Sequence, residues 1–458
     1  GTAGGCKDMV SGVNSTLLDL LMDLSTGAAV ADDVLERHME NIRKLNSVLH
    51  AFITVFDKPL RVGDYGKRPL MGASVAVKDL IYVKGYPTTA GSKILRNFIP
   101  NYSGKVVERL VAKGATIHGK TNLHEFAFGV TNKNPHYGDC MNPWKGDRIS
   151  GGSSGGSAVA VACGMAAAAL GTDTAGSIRI PSSFCGVYGF KPTYGLISRN
   201  GVIPLSWSLD HVGYLGRSIR DLAFLTGLTS DKPISQDLTD FSKSFKPVEI
   251  KRLRVGVPRK HFLDHVEEDV SKNFDRTIST LESEGAIVRD VVLPNYSLFR
   301  DCRHLIVHAE AAAFHMKMFR ERSGEYGEDV RRRLLEGMTI PATSYITALR
   351  VRSILLEQFR GLFKDVDILA MPTTVITAPR LDATSVEVGG AVLDIRAATL
   401  RNTEVFNVVG APALSMPNGF SRDGLPTSLQ LVSDLNTDWG LLEIAASLEE
   451  LIRPSVTP

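Results

Sequence analysis

Gly72-Ala-Ser-Val-Ala-Val-Lys-Asp-Leu-Ile81 is the stretch that sets the fold class. Its side chains are β-branched or apolar on both sides of the two-residue alternation, the pattern of a strand covered on both faces. Such a strand needs a layer of helices above and below it. Upstream, Leu17, Leu20, Leu21 and Leu24, then Val34, His38, Ile42, Leu45 and Leu49, recur at helical spacing and predict two amphipathic helices between Thr16 and Thr54. Downstream, residues 106–113 fit a helix and 115–119 a short strand. Residues 253–257 and 367–371 fit further strands, and 267–284 and 345–363 fit helices. Strands alternating with helices predict an α/β sheet. No proline-rich or charged linker interrupts the pattern and no fixed-period repeat occurs. One domain over 1–458 is therefore expected, with residues 230–248 as a polar surface excursion.

Composition excludes several classes. Of 458 residues, 43% are hydrophobic and 22% charged, as in ordinary globular proteins, so a large core is available. Lys plus Arg number 52 against 49 for Asp plus Glu, and a net charge of +3 spread over so long a chain calls for neither nucleic acid nor an anionic membrane. The five cysteines are far apart and form no Cys-x-x-Cys pair. That argues against a disulfide framework or a zinc site and predicts a cytoplasmic protein. Residues 158–170 form the longest apolar run, too short to span a bilayer, and read as a core helix. The opening Gly1-Thr2-Ala3-Gly4-Gly5 has no basic-then-apolar signal pattern and reads as a trimmed end.

Two clusters carry candidate chemistry. Gly151-Gly-Ser-Ser-Gly-Gly-Ser157 could cradle a phosphate on its backbone N–H groups, but no lysine follows as in a phosphate loop, and no strand precedes as in a dinucleotide fingerprint. Gly171-Thr-Asp-Thr-Ala-Gly-Ser-Ile-Arg-Ile-Pro181 ends in a proline and apolar residues that predict a helix starting near Ser177. Taken alone, Ser177 reads as a helix cap. With small Ala175 and Gly176 beside it, accessible N–H groups and a helix dipole, the cluster also describes a hydroxyl nucleophile next to an oxyanion hole. A serine needs a base, and none of the eleven histidines lies in either cluster. Lys78, inside the apolar strand, serves if burial lowers its pKa from about 10.4, the alternative being an ion pair with Asp79.

These clusters, with Ala76-Val-Lys-Asp79, Gly119-Lys-Thr-Asn122, Glu125-Phe-Ala127, Gly189-Phe-Lys-Pro-Thr193 and Ser208-Leu-Asp-His-Val-Gly213, closely resemble the amidase signature family. The likeness is densest over residues 72–221. It continues more weakly over 222–458, where Gly410-Ala-Pro-Ala-Leu-Ser-Met-Pro417 and Gly424-Leu-Pro-Thr-Ser-Leu-Gln430 resemble closing strands, while 1–60 supply N-terminal helices. The resemblance implies a large mixed sheet covered by helices on both faces, and hydrolysis of a carboxylic amide through a Ser-Ser-Lys acyl-enzyme. It makes Lys78 the base, Ser153 the bridging serine on a cis peptide and Ser177 the nucleophile. Ser153, rather than Ser154, stands the family's 24 residues before Ser177. The N–H groups of Thr174, Ala175, Gly176 and Ser177 are the expected oxyanion donors, with Asp173 and Arg179 in support. The family most often has glycine where Ala175 stands, so a positive φ there would cost energy. No metal and no cofactor are implied.

The family includes the glutamine-hydrolysing subunit of transfer-RNA amidotransferases. Arg352, in Leu349-Arg-Val-Arg-Ser353, matches that subunit's substrate arginine. A gap-free comparison back from Gly410 puts Leu400 at its acid, with Glu404 the nearby substitute. The resemblance without the acid predicts a stand-alone amidase for a small-molecule amide, with Phe128, Gly129 and Arg352 binding substrate and Phe126 and Tyr137 as further candidates for the acyl pocket. Partners beyond the substrate are at most a second copy of the chain, with no direct nucleic-acid contact and no membrane. The rival expectations are the amidotransferase subunit, with obligate partner proteins, and an inactive scaffold.

Overall fold

A computed structural model describes residues 15–234 and 237–454; Gly1–Gly5 and Cys6 lie outside them. The strands, in chain order, are β1 (Phe52–Leu60), β2 (Ser74–Lys78), β3 (Thr116–Thr121), β4 (Ala168–Asp173), β5 (Tyr188–Lys191), β6 (His211–Gly216), β7 (Arg254–Val257), β8 (Ile287–Asp290), β9 (Ile368–Pro372), β10 (Ser385–Val388), β11 (Ala391–Asp394), β12 (Ala413–Phe420) and β13 (Pro426–Val432). Eleven of them form one sheet in the order β1-β3-β2-β4-β6-β5-β12-β13-β9-β7-β8, and β10 and β11 make a separate hairpin. The sheet is mixed, as expected. β2 runs parallel to both β3 and β4, whereas β4, β6, β5, β12, β13 and β9 meet in antiparallel pairs.

All five residues of β2 are buried, and its alternation explains the two layers. Val75 and Val77 enter the core that holds the helices Leu17–Thr26, Lys105–Ala112 and Ile219–Thr229. Ala76, pointing the other way, enters the core formed with Ala31–Leu49 and Gly155–Ala162. The second face is built for close approach. A Cβ on Gly156 would strike the backbone of Ala51 and Asn122, so glycine there lets the helix sit directly on the sheet. Lys78 shares the face of Ala76, so its side chain is directed at the start of Gly155–Ala162, where Ser153 and Ser154 lie. The fold thus brings the lysine to the serines by strand period alone.

The two N-terminal helices occur as expected, and the closing strands form the hairpin β12–β13. Residues 158–170 differ from the expectation of one core helix: the helix ends at Ala162, the chain turns through Gly164 at φ 60°, and β4 begins at Ala168. Alanine favours helix strongly, but a glycine in the left-handed region stops it. Residues 230–248 are not wholly superficial either, since Phe241 and Phe245 are buried there. Among the described residues, no helix is long and apolar enough to cross a membrane.

Candidate active site

Lys78 is fully buried, and its Nζ lies 2.7 Å from Ser153 Oγ, 2.8 Å from Ser154 Oγ and 2.7 Å from Thr172 Oγ1. It makes no ion pair with Asp79, whose carboxylate is held instead by buried Lys120 at 2.9 Å and by Thr89. Burial pushes the Lys78 ammonium down to about 7, against the opposing pull of Asp173 and Asp210. A neutral amine has one lone pair, which accepts a hydrogen bond. Ser154 is not free to supply it, because its hydroxyl donates to Thr172 O at 3.0 Å and accepts from Thr172 N–H at 3.3 Å. Ser153, on the far side of a cis Gly152–Ser153 peptide, is the serine whose proton can point at Nζ.

Ser177 sits in the loop between β4 and the short helix Arg179–Cys185, and is 6% exposed. Its carbonyl accepts the Ser154 N–H at 3.1 Å, which ties the two serine-bearing segments together. Asp173 organises the loop. Its carboxylate accepts from the N–H groups of Gly176 at 2.8 Å and Ile178 at 3.1 Å and forms a forked pair with Arg179, at 2.9 and 3.0 Å. Burial raises the Asp173 carboxyl, but the Arg179 guanidinium outweighs it and holds the group well below the usual carboxylate range. Arg179 in turn reaches Gln430 Oε1 at 2.8 Å and Asn407 Oδ1 at 2.6 Å. Thr174 donates its hydroxyl to Asp210 at 2.6 Å; burial pushes that carboxyl up to about 6, against hydrogen bonds from Thr174, Ser206 and Leu205.

This geometry corrects two expectations about the oxyanion hole. The Gly176 N–H is already committed to Asp173, and so is the start of the helix, so neither is free for a substrate oxygen. Thr174, Ala175 and Ser177 keep their candidacy. Ala175 is not among the positive-φ residues, so alanine carries no left-handed strain there; the special conformation falls on Gly176, with φ 136°.

Ser177, Phe128, Gly129, Thr174 and Ala175 line a small cavity of about 20 Å³, room for about one water. Leu400 lines it too. Arg352 does not. Its guanidinium donates to Val408 O at 2.6 Å and Ser208 O at 3.3 Å, fastening the helix Ala342–Leu362 to neighbouring backbone, so the structure does not bring it to this cavity. Phe126 packs instead against His315 and Tyr326, and the Tyr137 hydroxyl bonds Ser92 O at 3.3 Å. The arginines that line the cavity are Arg303 and Arg396, neither of which was singled out from the sequence. The available signal was weak: Arg303 with Val307, and Arg396 with Leu400, each an arginine four residues before an aliphatic on one helix face. No group of His, Cys, Asp and Glu suited to a metal occurs among the described residues.

The amidase family model matches residues 33–442 of the chain. The chain belongs to the amidase family. This amidase is 34% identical to the glutamyl-tRNA(Gln) amidotransferase A-subunit of Lactobacillus delbrueckii subsp. bulgaricus, over 95% of the chain and 96% of the relative. It is 36% identical to the same-named protein of Carboxydothermus hydrogenoformans, over 92% and 93%. Among solved structures it resembles an amidase crystal structure with a TM-score of 0.87 at 33% identity, covering 96% of this chain and all of that one. It also resembles the glutamyl-tRNA(Gln) amidotransferase A-subunit of Thermotoga maritima, with a TM-score of 0.76 at 31% identity over 92% and 94%. Membership makes it an enzyme of the class that hydrolyses carbon–nitrogen bonds of amides.

Proposed function

We propose that Ser177 attacks the amide carbonyl while its proton passes to Ser153 Oγ and the Ser153 proton passes to neutral Lys78. The carbonyl oxygen takes the negative charge beside the N–H groups of Thr174, Ala175 and Ser177. As the C–N bond breaks, the relay runs backwards and protonates the leaving nitrogen. Water, activated through the same relay, releases the acid from the Ser177 ester. The observation that carries this reading is a fully buried lysine with no carboxylate partner, brought to about neutral pKa and within 2.7 Å of a serine hydroxyl. Lys120, equally buried, by contrast has its counter-ion in Asp79.

For the amide itself, the relatives support glutamine, with the chain as the hydrolysing subunit of an amidotransferase, better than the stand-alone amidase expected from the sequence. One observation favours the stand-alone reading. Leu400 occupies the cavity where an acid would hold an α-ammonium, and Glu404 is engaged by Arg303 at 2.6 Å. Ammonia release by the protein purified alone, first with glutamine and then with small amides, separates the two. Glutamine turnover together with a co-purifying second protein supports the amidotransferase reading and a cytoplasmic complex. Turnover of other amides without glutamine supports the stand-alone enzyme. No fluorophosphonate label on Ser177 and no turnover of any amide would overturn both.

A further inference from the structure

The cavity at Ser177 has one apolar side and one cationic side, and the cationic side is short of anions. Arg303 and Arg396 line it and Arg333 lies close to Arg396, while of the two carboxylates nearby Glu404 is also claimed by Arg300 at 3.5 Å. Arg303 is paired with Glu404 at 2.6 Å, and Arg333 with Asp329 at 2.8 Å, while Arg333 also donates to Phe128 O at 2.5 Å. Arg396 has no carboxylate within ion-pair distance among the described residues. Its Nη1 is sealed from solvent and has no hydrogen-bond partner there. Burial works against the Arg396 charge, and so do the neighbouring Arg333 and Arg303; Glu404 and Asp329 relieve it incompletely. A guanidinium does not escape by losing its proton, so a buried, unpaired donor of this kind is costly unless something anionic completes it.

Phe128, Leu205, Val307 and Leu400 line the same cavity as Arg396 and Ser177 and suit methylene groups. We propose that Arg396 is the anchor for a carboxylate at the far end of the acyl group, so that the favoured substrates are monoamides of short dicarboxylic acids. The inference rests on the reading of Ser177 as nucleophile and deepens it. The cavity as it stands has room for about one water, so an acyl chain enters only as the side-chain walls part, and a short one asks least of them. Because Glu404 is taken by Arg303, an α-ammonium group on the substrate gains nothing here, and glutaramate is hydrolysed at least as well as glutamine.

The test compares succinamate with its methyl ester, equal in chain length but without the charge, in the intact protein. A preference of about a hundredfold in kcat/KM for the acid is expected, since a buried, hydrogen-bonded charge pair is being gained or lost. Arg396→Gln should abolish that preference by lowering kcat/KM for the acid, chiefly through a raised KM, and Arg396→Lys should restore part of it. Equal rates on acid and ester in the wild type, or an undiminished preference in Arg396→Gln, would overturn the proposal. A binding measurement separates failure of this idea from failure of the nucleophile assignment: calorimetric titration of succinate into Ser177→Ala. Binding lost on adding Arg396→Gln supports the anchor even if no amide is turned over. No succinate binding to Ser177→Ala sinks it. If Arg396→Gln does not fold, the wild-type preference and the Arg396→Lys variant still decide between anchor and no anchor.

Discussion

Replacing Lys78 by methionine removes the proposed base, and it should also change how stability depends on pH. In the folded protein the Lys78 ammonium is brought from its ordinary 10.5 to about 7 by burial. A lysine whose folded value lies below its unfolded value costs stability in full below the folded value, and progressively less as pH rises to the unfolded one. At pH 7 the unfolded chain holds this proton almost completely and the folded chain holds half of it. Integrating the proton difference from pH 7 upward gives a cost of about 4 kcal/mol at pH 7. By pH 9.5 the cost has fallen to about 1.4 kcal/mol, a relief of about 3 kcal/mol. Lys78→Met has no such term. Its loss of the hydrogen bonds to Ser153, Ser154 and Thr172 is a constant offset that pH does not change. Urea unfolding of both proteins between pH 7 and 9.5 should therefore show the wild type gaining about 3 kcal/mol relative to the variant. Parallel curves would mean that Lys78 is charged throughout, and the relay through Ser153 would have no base.

Ser177→Ala should cut amide turnover by at least about four powers of ten, with the unfolding midpoint nearly unchanged and fluorophosphonate labelling lost. In the wild type, kcat/KM should fall as pH drops below about 7, because the lysine must be neutral to accept a proton; a pH-rate profile flat from 8 to 5.5 would contradict this. Gly176→Ala should cost about 3 kcal/mol in denaturant unfolding, since φ is 136° and the new methyl would collide with the Thr403 side chain. Asp173→Asn strands a buried guanidinium and should cost about 3–5 kcal/mol, read as a lowered melting temperature, which Ser177→Ala should not produce.

The lysine, the two serines and the sheet that joins them were legible because each is specified locally. Strand period turns Lys78 towards the serine loop, and the glycines around Ser153 and Ser177 mark backbone that must come close. What the sequence did not disclose lies on the substrate side. Arg303 and Arg396 sit on separate helices far along the chain from Ser177, and each is one of many arginines on helix surfaces until the helices are packed. The family match of Arg352 likewise says nothing of the carbonyls of Val408 and Ser208 to which it donates. The Gly176 amide looked available because nothing local announces that Asp173 folds back onto it. β1 begins at Phe52, inside the stretch assigned to helix up to Thr54, and it holds Pro59, whose missing N–H is tolerated at the edge of a sheet.

Arg179, two residues after the nucleophile, finds Gln430 across 251 positions of chain, in the last strand of the sheet. The loop that holds Ser177 is thus braced by a residue from a strand far later in the chain. Lys78, Ser153 and Ser177 lie within about one hundred residues of one another, whereas the brace comes from well beyond them. A chain lacking β13 would keep Lys78, Ser153, Ser177 and the Asp173–Arg179 pair but would leave Arg179 without its Gln430 contact, so the footing of the loop depends on a bond made across the sheet.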